Sequence, residues 1–188
     1  MRRIALLFAG LAVFVLVPGS ELRAGTLAGI TLPDTIQIQA TTLLLNGLGL
    51  RKKFVIKVYV AGLYVQKKSS DADAIVTANA PKRVVMHFVR SVSKSQMVNA
   101  FDESFKNNSP DASKAMKSEI DQLFAAIEGL KEGDEMAFTF LPDAGTTLAI
   151  NGKDKLTIAS PGFGALLFSV WLGPKPPNPE LKKGLLGL

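Results

Sequence analysis

The sequence predicts an α+β fold in which a largely antiparallel sheet is covered by helices. Three observations carry this prediction. Strand patterns fall in two clusters, with helical stripes between and after them, and show no repeating strand–helix alternation of the kind a parallel sheet requires. Residues 43–65 (LLLNGLGLRKKFVIKVYVAGLYV) end in a long strand, 53–65, that is apolar on both faces, as befits a central or bent member covered on both sides. Asn151-Gly152, between two short alternating stretches, marks a tight hairpin.

Taken in order, residues 32–45 read as one or two strands. Ile36, Ile38 and Ala40 alternate with Gln37 and Gln39, and the run Leu43-Leu44-Leu45 follows. Asn46-Gly47 and Gly49 predict a tight reversal before the long strand. In a regular strand Arg51, Val55, Tyr59, Leu63 and Val65 share one face, and Phe54, Ile56, Val58, Val60 and Tyr64 the other. Lys57 on the first face implies a wet patch or a bulge. After a polar turn at 66–70, residues 71–78 form a short helix, with Asp71 near its start. Residues 83–90 form a strand with Val84, Met86 and Phe88 opposite Val85, His87 and Val89.

Ser93 with Gln96 makes a capping box. The helix it opens sets Met97, Phe101 and Phe105 on one face beside Val98, exposes Lys94 and Lys106, and ends at Asn107-Asn108. Ser109 and Pro110 start another helix, with the stripe Met116, Ile120, Leu123, Phe124 and Ile127, which Gly129 stops. Strands follow at Glu135–Leu141, 146–150 and 155–158. Ser160-Pro161 opens a strongly apolar helix through Phe163, Leu166, Leu167, Val170 and Trp171, closed by Gly173-Pro174. A Pro-rich link leads to a short helix at 180–186.

The chain has 188 residues, 47% hydrophobic and 20% charged, which is one domain with a sizeable core. No cysteine is present, so thiolate chemistry, disulfides and cysteine-ligated metal are excluded, and the single histidine, His87, excludes a His-rich metal site. No cofactor is implied. Met1-Arg2-Arg3, the apolar run 4–17 and Pro18-Gly19-Ser20 read as a secretory signal. Cleavage follows Ala24 or Ala28, with Ala28 preferred, giving a signal over 1–28 and a single domain over 29–188; the rival reading is an uncleaved N-terminal anchor. Removing residues 1–28 takes away three arginines and one glutamate and lowers the net charge from +6 to +4. The mature chain is then exported, in the periplasm, with no stable membrane span. Mild basicity suits an anionic ligand or lipid. Nucleic acid is not expected as a partner, because no dense basic-aromatic stripe occurs.

Chemistry-bearing residues are few. His87 has no local serine or carboxylate partner, no G-x-S-x-G motif occurs, and Glu103, Glu119, Glu128, Glu132 and Glu135 fall on helix surfaces or turns. Arg51, beside a glycine pair at the mouth of a helix-covered sheet, is the cation best placed to hold a carboxylate or phenolate through its fork of donors, with Arg90 second. The alternative for Arg51 is a hydrogen-bonded brace of the turn at 46–50. Tyr59 shares its strand face, but eight residues of straight strand separate the two by about 26 Å. They meet one ligand only if the strand bends or the ligand is long.

Four motifs together, NGLGLRKKFVIKVYVAGLYV (46–65), PKRVVMHFVRSVSKSQ (81–96), GTTLAINGK (145–153) and WLGPKPPNPELKKGLLG (171–187), give the sequence a resemblance to the chalcone isomerase-like family, and within it to a bacterial exported branch. The resemblance implies an open-faced β-sandwich, a long curved antiparallel sheet with helices packed on it and a cleft between them. In the isomerases of that family, which close a chalcone by intramolecular conjugate addition, an arginine after the Gly-x-Gly element stabilises the phenolate and developing enolate. Arg51 matches it. A strand threonine that orders a water with a tyrosine falls near Tyr59 here. The tyrosine at a helix start falls within 93–97, which has none, and the asparagine after it has only Asn99 nearby. In the fatty-acid-binding relatives an arginine and a tyrosine hold the carboxylate. That implies Arg51 and Tyr59 for the head of a small amphiphile, with Phe101, Phe105 and Phe163 around its tail. The expectation is therefore an exported binding protein for a small amphiphile such as a fatty acid. Two alternatives stand beside it: an intramolecular lyase or isomerase for a phenolic enone, with Arg51 and Tyr59 catalytic, and a structural or partner-binding envelope protein with a filled core.

Overall fold

The structure, a computed structural model, describes residues 24–188. The segment read as a secretory signal lies almost wholly outside the described residues. The described chain starts with a two-stranded hairpin, β1 (Ala24–Leu27) with β2 (Ile30–Pro33), turning through Ala28 and Gly29, both at positive φ. Seven further strands follow in one antiparallel sheet whose spatial order is the sequence order. They are β3 (Thr35–Ile38), β4 (Thr41–Lys53), β5 (Ile56–Val65), β6 (Lys82–Phe88), β7 (Glu135–Leu141), β8 (Gly145–Ile150) and β9 (Lys153–Ile158). The helices are α1 (Ala72–Thr77), α2 (Lys94–Asn108), α3 (Pro110–Ala115), α4 (Lys117–Ala126), α5 (Phe163–Leu172) and α6 (Pro179–Leu185). The expected α+β architecture, a long antiparallel sheet covered by helices, is what the chain forms.

The reversal before the long strand is not where the glycines are. Asn46, Gly47 and Gly49 lie inside β4, which continues to Lys53, and the chain turns at Phe54-Val55. The glycines serve packing. A Cβ on Gly47 would stand 2.1 Å from the Gly184 carbonyl oxygen, and one on Gly49 2.4 Å from that of Leu181, so α6 lies directly on the β4 backbone. Asn46 is a buried clamp: its amide donates to Ser69 O (2.9 Å) and Leu185 O (2.8 Å), and its carbonyl accepts from Ser69 N (2.8 Å). The β4–β5 pairing shifts register twice, passing over Asn46 in β4 and Val58 in β5, and the second shift is the bulge that Lys57 signalled.

The alternation along β5–β8 sorts two layers. Tyr59, Ala61, Leu63, Val84, Met86, Phe88, Met136, Phe138, Leu148 and Ile150 face the helices, where they join Met97, Phe101, Phe105, Leu123 and the whole inner side of α5. Tyr64, Val85 and Ala137 face the other way and form a smaller cluster with Leu43 and Leu45. On that side Leu32 of β2 lies against β5, close enough that a Cβ on Gly62 would meet its Cδ1 at 2.6 Å.

Local signals set the helix ends. The Ser93–Gln96 capping box opens α2, and the Asp71 carboxylate caps α1 through Ala74 N at 3.0 Å. At the other end of α1, the buried Lys82 ammonium reaches Ile75 O, Val76 O and Ala78 O at 2.9, 3.0 and 2.7 Å. Burial pushes that ammonium down to about 8, while three carbonyls at a helix C-terminus keep it supplied with acceptors. The single helix expected from Pro110 onward is split at Met116: α3 ends at Ala115 and α4 runs from Lys117 to Ala126, carrying Ile120, Leu123 and Phe124. The last main helix starts at Phe163 behind a left-handed Gly162 rather than at a Ser160 cap.

Candidate functional site

Moving the turn to Phe54-Val55 changes the relation of the two residues that matter most. β4 and β5 are arms of one hairpin, and Arg51 and Tyr59 are direct cross-strand partners. The straight-strand separation does not apply. Paired residues project to the same face, here the helix-covered one, with Cβ atoms about 5 Å apart.

Arg51 is half-buried at the open end of that face, where the link between α5 and α6 crosses. Its Nη1 donates to Asn178 Oδ1 (2.8 Å), to Pro177 O (3.1 Å) and to Lys52 O. Asn178 Oδ1 also accepts from Lys52 N at 2.9 Å. Arg51 is therefore a brace, but of the C-terminal link and not of a turn at 46–50. Its partners are all neutral. Among the described residues no carboxylate lies within ion-pair distance of it, and Nε and Nη2 donate to no protein acceptor. Arg83, on the opposite face, contrasts with it: Nη1 donates to Thr139 Oγ1 at 3.2 Å and Nη2 stands 4.0 Å from Glu135.

Tyr59 is buried, and its hydroxyl accepts a hydrogen bond from Trp171 Nε1 at 3.1 Å. Burial pushes its phenol up to about 12, against the smaller opposing effects of the Trp171 bond and the Arg51 charge. At neutral pH it is a phenol that can donate, not a base. Trp171 continues the line into the interior: Phe101 meets it edge-on at 5.8 Å, and Phe105 lies 6.0 Å beyond Phe101. Arg51, Tyr59, Phe101 and Phe105 are thus joined through Trp171. Phe163 sits at the other end of α5, with Leu148 and Ile158 of β8 and β9, about 12 Å along the helix from Trp171.

The space between sheet and helices is filled. Phe101, Phe105, Phe163 and Trp171 are all buried. The void beside Phe163, lined also by Leu123, Phe138 and Thr146, has no room for a water molecule. Thr146 Oγ1 in that lining is a buried hydroxyl with no partner. A cavity of about 230 Å³ lies instead on the opposite face of the sheet, among Leu32, Ile36, Tyr64, Arg83, Val85 and Glu135. His87 is paired in register with Glu135 on that same side of β6. No cluster of three or more histidine or acidic residues suited to a metal ion occurs among the described residues. No helix among them is long and apolar enough to cross a membrane.

Trp171 and Asn178 are the members of this site that sequence reasoning did not single out. Trp171 is the only tryptophan, on the last main helix, and Asn178 precedes a proline at a helix start. Neither signal by itself says which strand it meets.

A family model described as chalcone isomerase-like matches residues 24–187. No curated protein matches the chain. Among solved structures, the fatty-acid binding protein of Arabidopsis thaliana superposes with a TM-score of 0.69 at 15% identity, covering 87% of this chain and 96% of that one. At that identity the likeness concerns the fold.

Proposed function

The chain belongs to the chalcone isomerase-like family, and from that premise we propose that it is a non-catalytic binding protein for a small amphiphile with an anionic head, a fatty acid first of all. The observation that carries the proposal is Arg51: a half-buried guanidinium with no carboxylate partner among the described residues, opposite Tyr59 at the edge of an aromatic layer. An uncompensated cation in that setting favours an anion, and Nε with Nη2 offers it two parallel donors. The tail enters between α5 and the sheet. Because that layer is closed in the structure, binding is coupled to a shift of α5, and Trp171 reports it. The fatty-acid binding protein named above is a fold neighbour that agrees with this reading.

The test is titration of the protein with long-chain fatty acids, read by emission of the single tryptophan. Saturable change is expected, and Arg51→Ala is expected to weaken binding about tenfold to a hundredfold, the range for charged hydrogen bonds. Asn178→Ala removes part of the brace but keeps the charge, so it should still bind. Normal binding by Arg51→Ala sinks the assignment. The filled interior favours a second reading, a partner-binding protein without a small ligand; a folded wild type that binds nothing across the fatty-acid panel selects it.

Export belongs to the same proposal. Cleavage after Ala28 would cut away β1, whereas cleavage after Ala24 leaves the hairpin nearly whole. Intact mass of protein recovered outside the cytoplasm should correspond to a start at Gly25. A start at Gly29 would contradict that choice, and a full-length mass would favour the uncleaved anchor.

A further inference from the structure

The turn joining β4 to β5 is unusual in what it exposes. Phe54 and Val55 are 90% and 91% exposed, and Ile56 45%. Apart from Leu188 at the terminus, these three consecutive residues are the exposed large hydrophobics among the described residues. The apolar pattern of residues 53–65 predicts covered strand faces for them; the hairpin instead carries them past the end of the sheet. Pairing of β5 with β6 starts only at Tyr59, with one further bond from Val89 N to Val58 O, so the tip overhangs its neighbour. Phe54 adopts φ 55°, a left-handed conformation that costs a bulky residue strain and that asparagine or glycine would adopt more easily. An apolar, strained, solvent-facing tip stabilises nothing inside the fold.

Its flanks are cationic. Lys52, Lys53 and Lys57 bracket the three apolar residues, with Arg51 behind them, and no aspartate or glutamate occurs between Asp34 and Asp71. The adjoining link between α5 and α6, residues 173–178, has Lys175 and no aspartate or glutamate, and Glu180 in the first turn of α6 is the acidic side chain nearest to it in sequence. Apolar side chains at an apex with lysines set back from it match the layering of an anionic bilayer, acyl chains beneath phosphates. We propose that the Phe54-Val55-Ile56 tip docks this protein on anionic lipid surfaces, the apolar residues entering the interface and Lys52, Lys53 and Lys57 pairing with headgroup phosphates.

The proposal does not rest on the fatty-acid reading. Vesicles test it without free ligand, and the Arg51 titration uses none. The chain has no cysteine, so Val55→Cys creates a unique site for an environment-sensitive fluorophore on the full chain. Vesicles of phosphatidylglycerol mixed with phosphatidylcholine should shift its emission to the blue. Pure phosphatidylcholine vesicles should not, and high salt should abolish the shift. Replacing Lys52, Lys53 and Lys57 together by glutamine should weaken the partition on the order of tenfold to a hundredfold. The same label at Lys153→Cys, exposed on the β8–β9 hairpin, should stay unshifted and rules out anchoring through the apolar N-terminus. No shift at position 55 with anionic vesicles, an equal shift with neutral ones, or a shift that follows protein concentration without any lipid (a second copy on the tip) overturns the proposal.

Discussion

Gly49→Val is expected to lower the unfolding free energy by about 3 kcal/mol or more, read as a reduced urea midpoint. The reason is where an added carbon would fall. At Gly49 it lies 2.4 Å from Leu181 O and 2.7 Å from Leu181 Cδ1; at Gly47 it meets Gly184 O, and Gly187 N and Leu185 O at 2.9 Å. The opposing surface is equally tight, since a Cβ on Gly184 would stand 2.2 Å from Leu48 O. These obstacles are mostly backbone, so no rotamer change relieves them. The helix must lift from β4, uncovering Leu181 and Leu185, now almost fully buried, and loosening the Asn46 clamp on Leu185 O. Each leucine is worth about 2 kcal/mol of burial, which bounds the loss if α6 detaches altogether. Gly129→Ala is the control: its nearest neighbour is 3.5 Å away, and the change should stay within about 0.5 kcal/mol. A Gly49→Val chain with a wild-type midpoint would mean that α6 does not sit on the strand. Because α6 follows directly on Asn178, the same variant should also release the Arg51 brace.

That pair of glycines shows where the sequence is legible and where it is not. Features whose cause lies within a few residues read correctly: the Ser93–Gln96 box, the Asn151-Gly152 hairpin, Glu135–Leu141, and the alternation of Val84, Met86 and Phe88 against Val85 and His87. Asn46-Gly47-Leu48-Gly49 misled because a tight turn and a close backbone approach ask for the same residue types, and the partner that decides between them is α6, at the far end of the chain. The true turn, Phe54-Val55, carries no turn chemistry at all, so nothing local marked it. The error propagated to the site. With the reversal at 46–49, Arg51 and Tyr59 are distant members of one strand; with it at 54–55 they are partners. Arg51 itself was recognisable as an arginine in an apolar setting, and the family resemblance pointed to it independently. Its attachment to Asn178 and the Tyr59–Trp171 bond were not legible, because both are tertiary contacts between segments whose own patterns say only helix, link or strand.

Trp171→Ala is expected to be the most destabilising single change at the site, at about 3–5 kcal/mol, in the range for removing a buried aromatic residue. The indole is 1% exposed and touches Phe101, Phe138 and Phe168 with centroids at 5.8, 5.9 and 6.4 Å. Most of the loss is packing, and Trp171→Phe separates the remainder. It keeps a ring but removes the donor to Tyr59, and about 1–2 kcal/mol should go with it. Tyr59→Phe removes the acceptor instead. In a double-mutant cycle the two should couple by about 1 kcal/mol; additivity would mean that the 3.1 Å bond contributes nothing. Alkaline pH gives an independent reading. The Tyr59 phenol titrates near 12 in the folded chain against 10.0 for a free tyrosine. Between those values the unfolded chain holds fewer protons at this residue than the folded one, so the Tyr59 contribution to stability falls as pH rises through the window and is constant below it, where Lys82, held down to about 8 in the fold, acts in the opposite sense. Tyr64, also pushed up to about 12 by burial, contributes in the same sense. Tyr59→Phe should therefore lessen the alkaline loss without abolishing it. If the slope is unchanged, Tyr59 is not held in the dry aromatic layer, and the line from Arg51 through Trp171 to Phe101 fails with it.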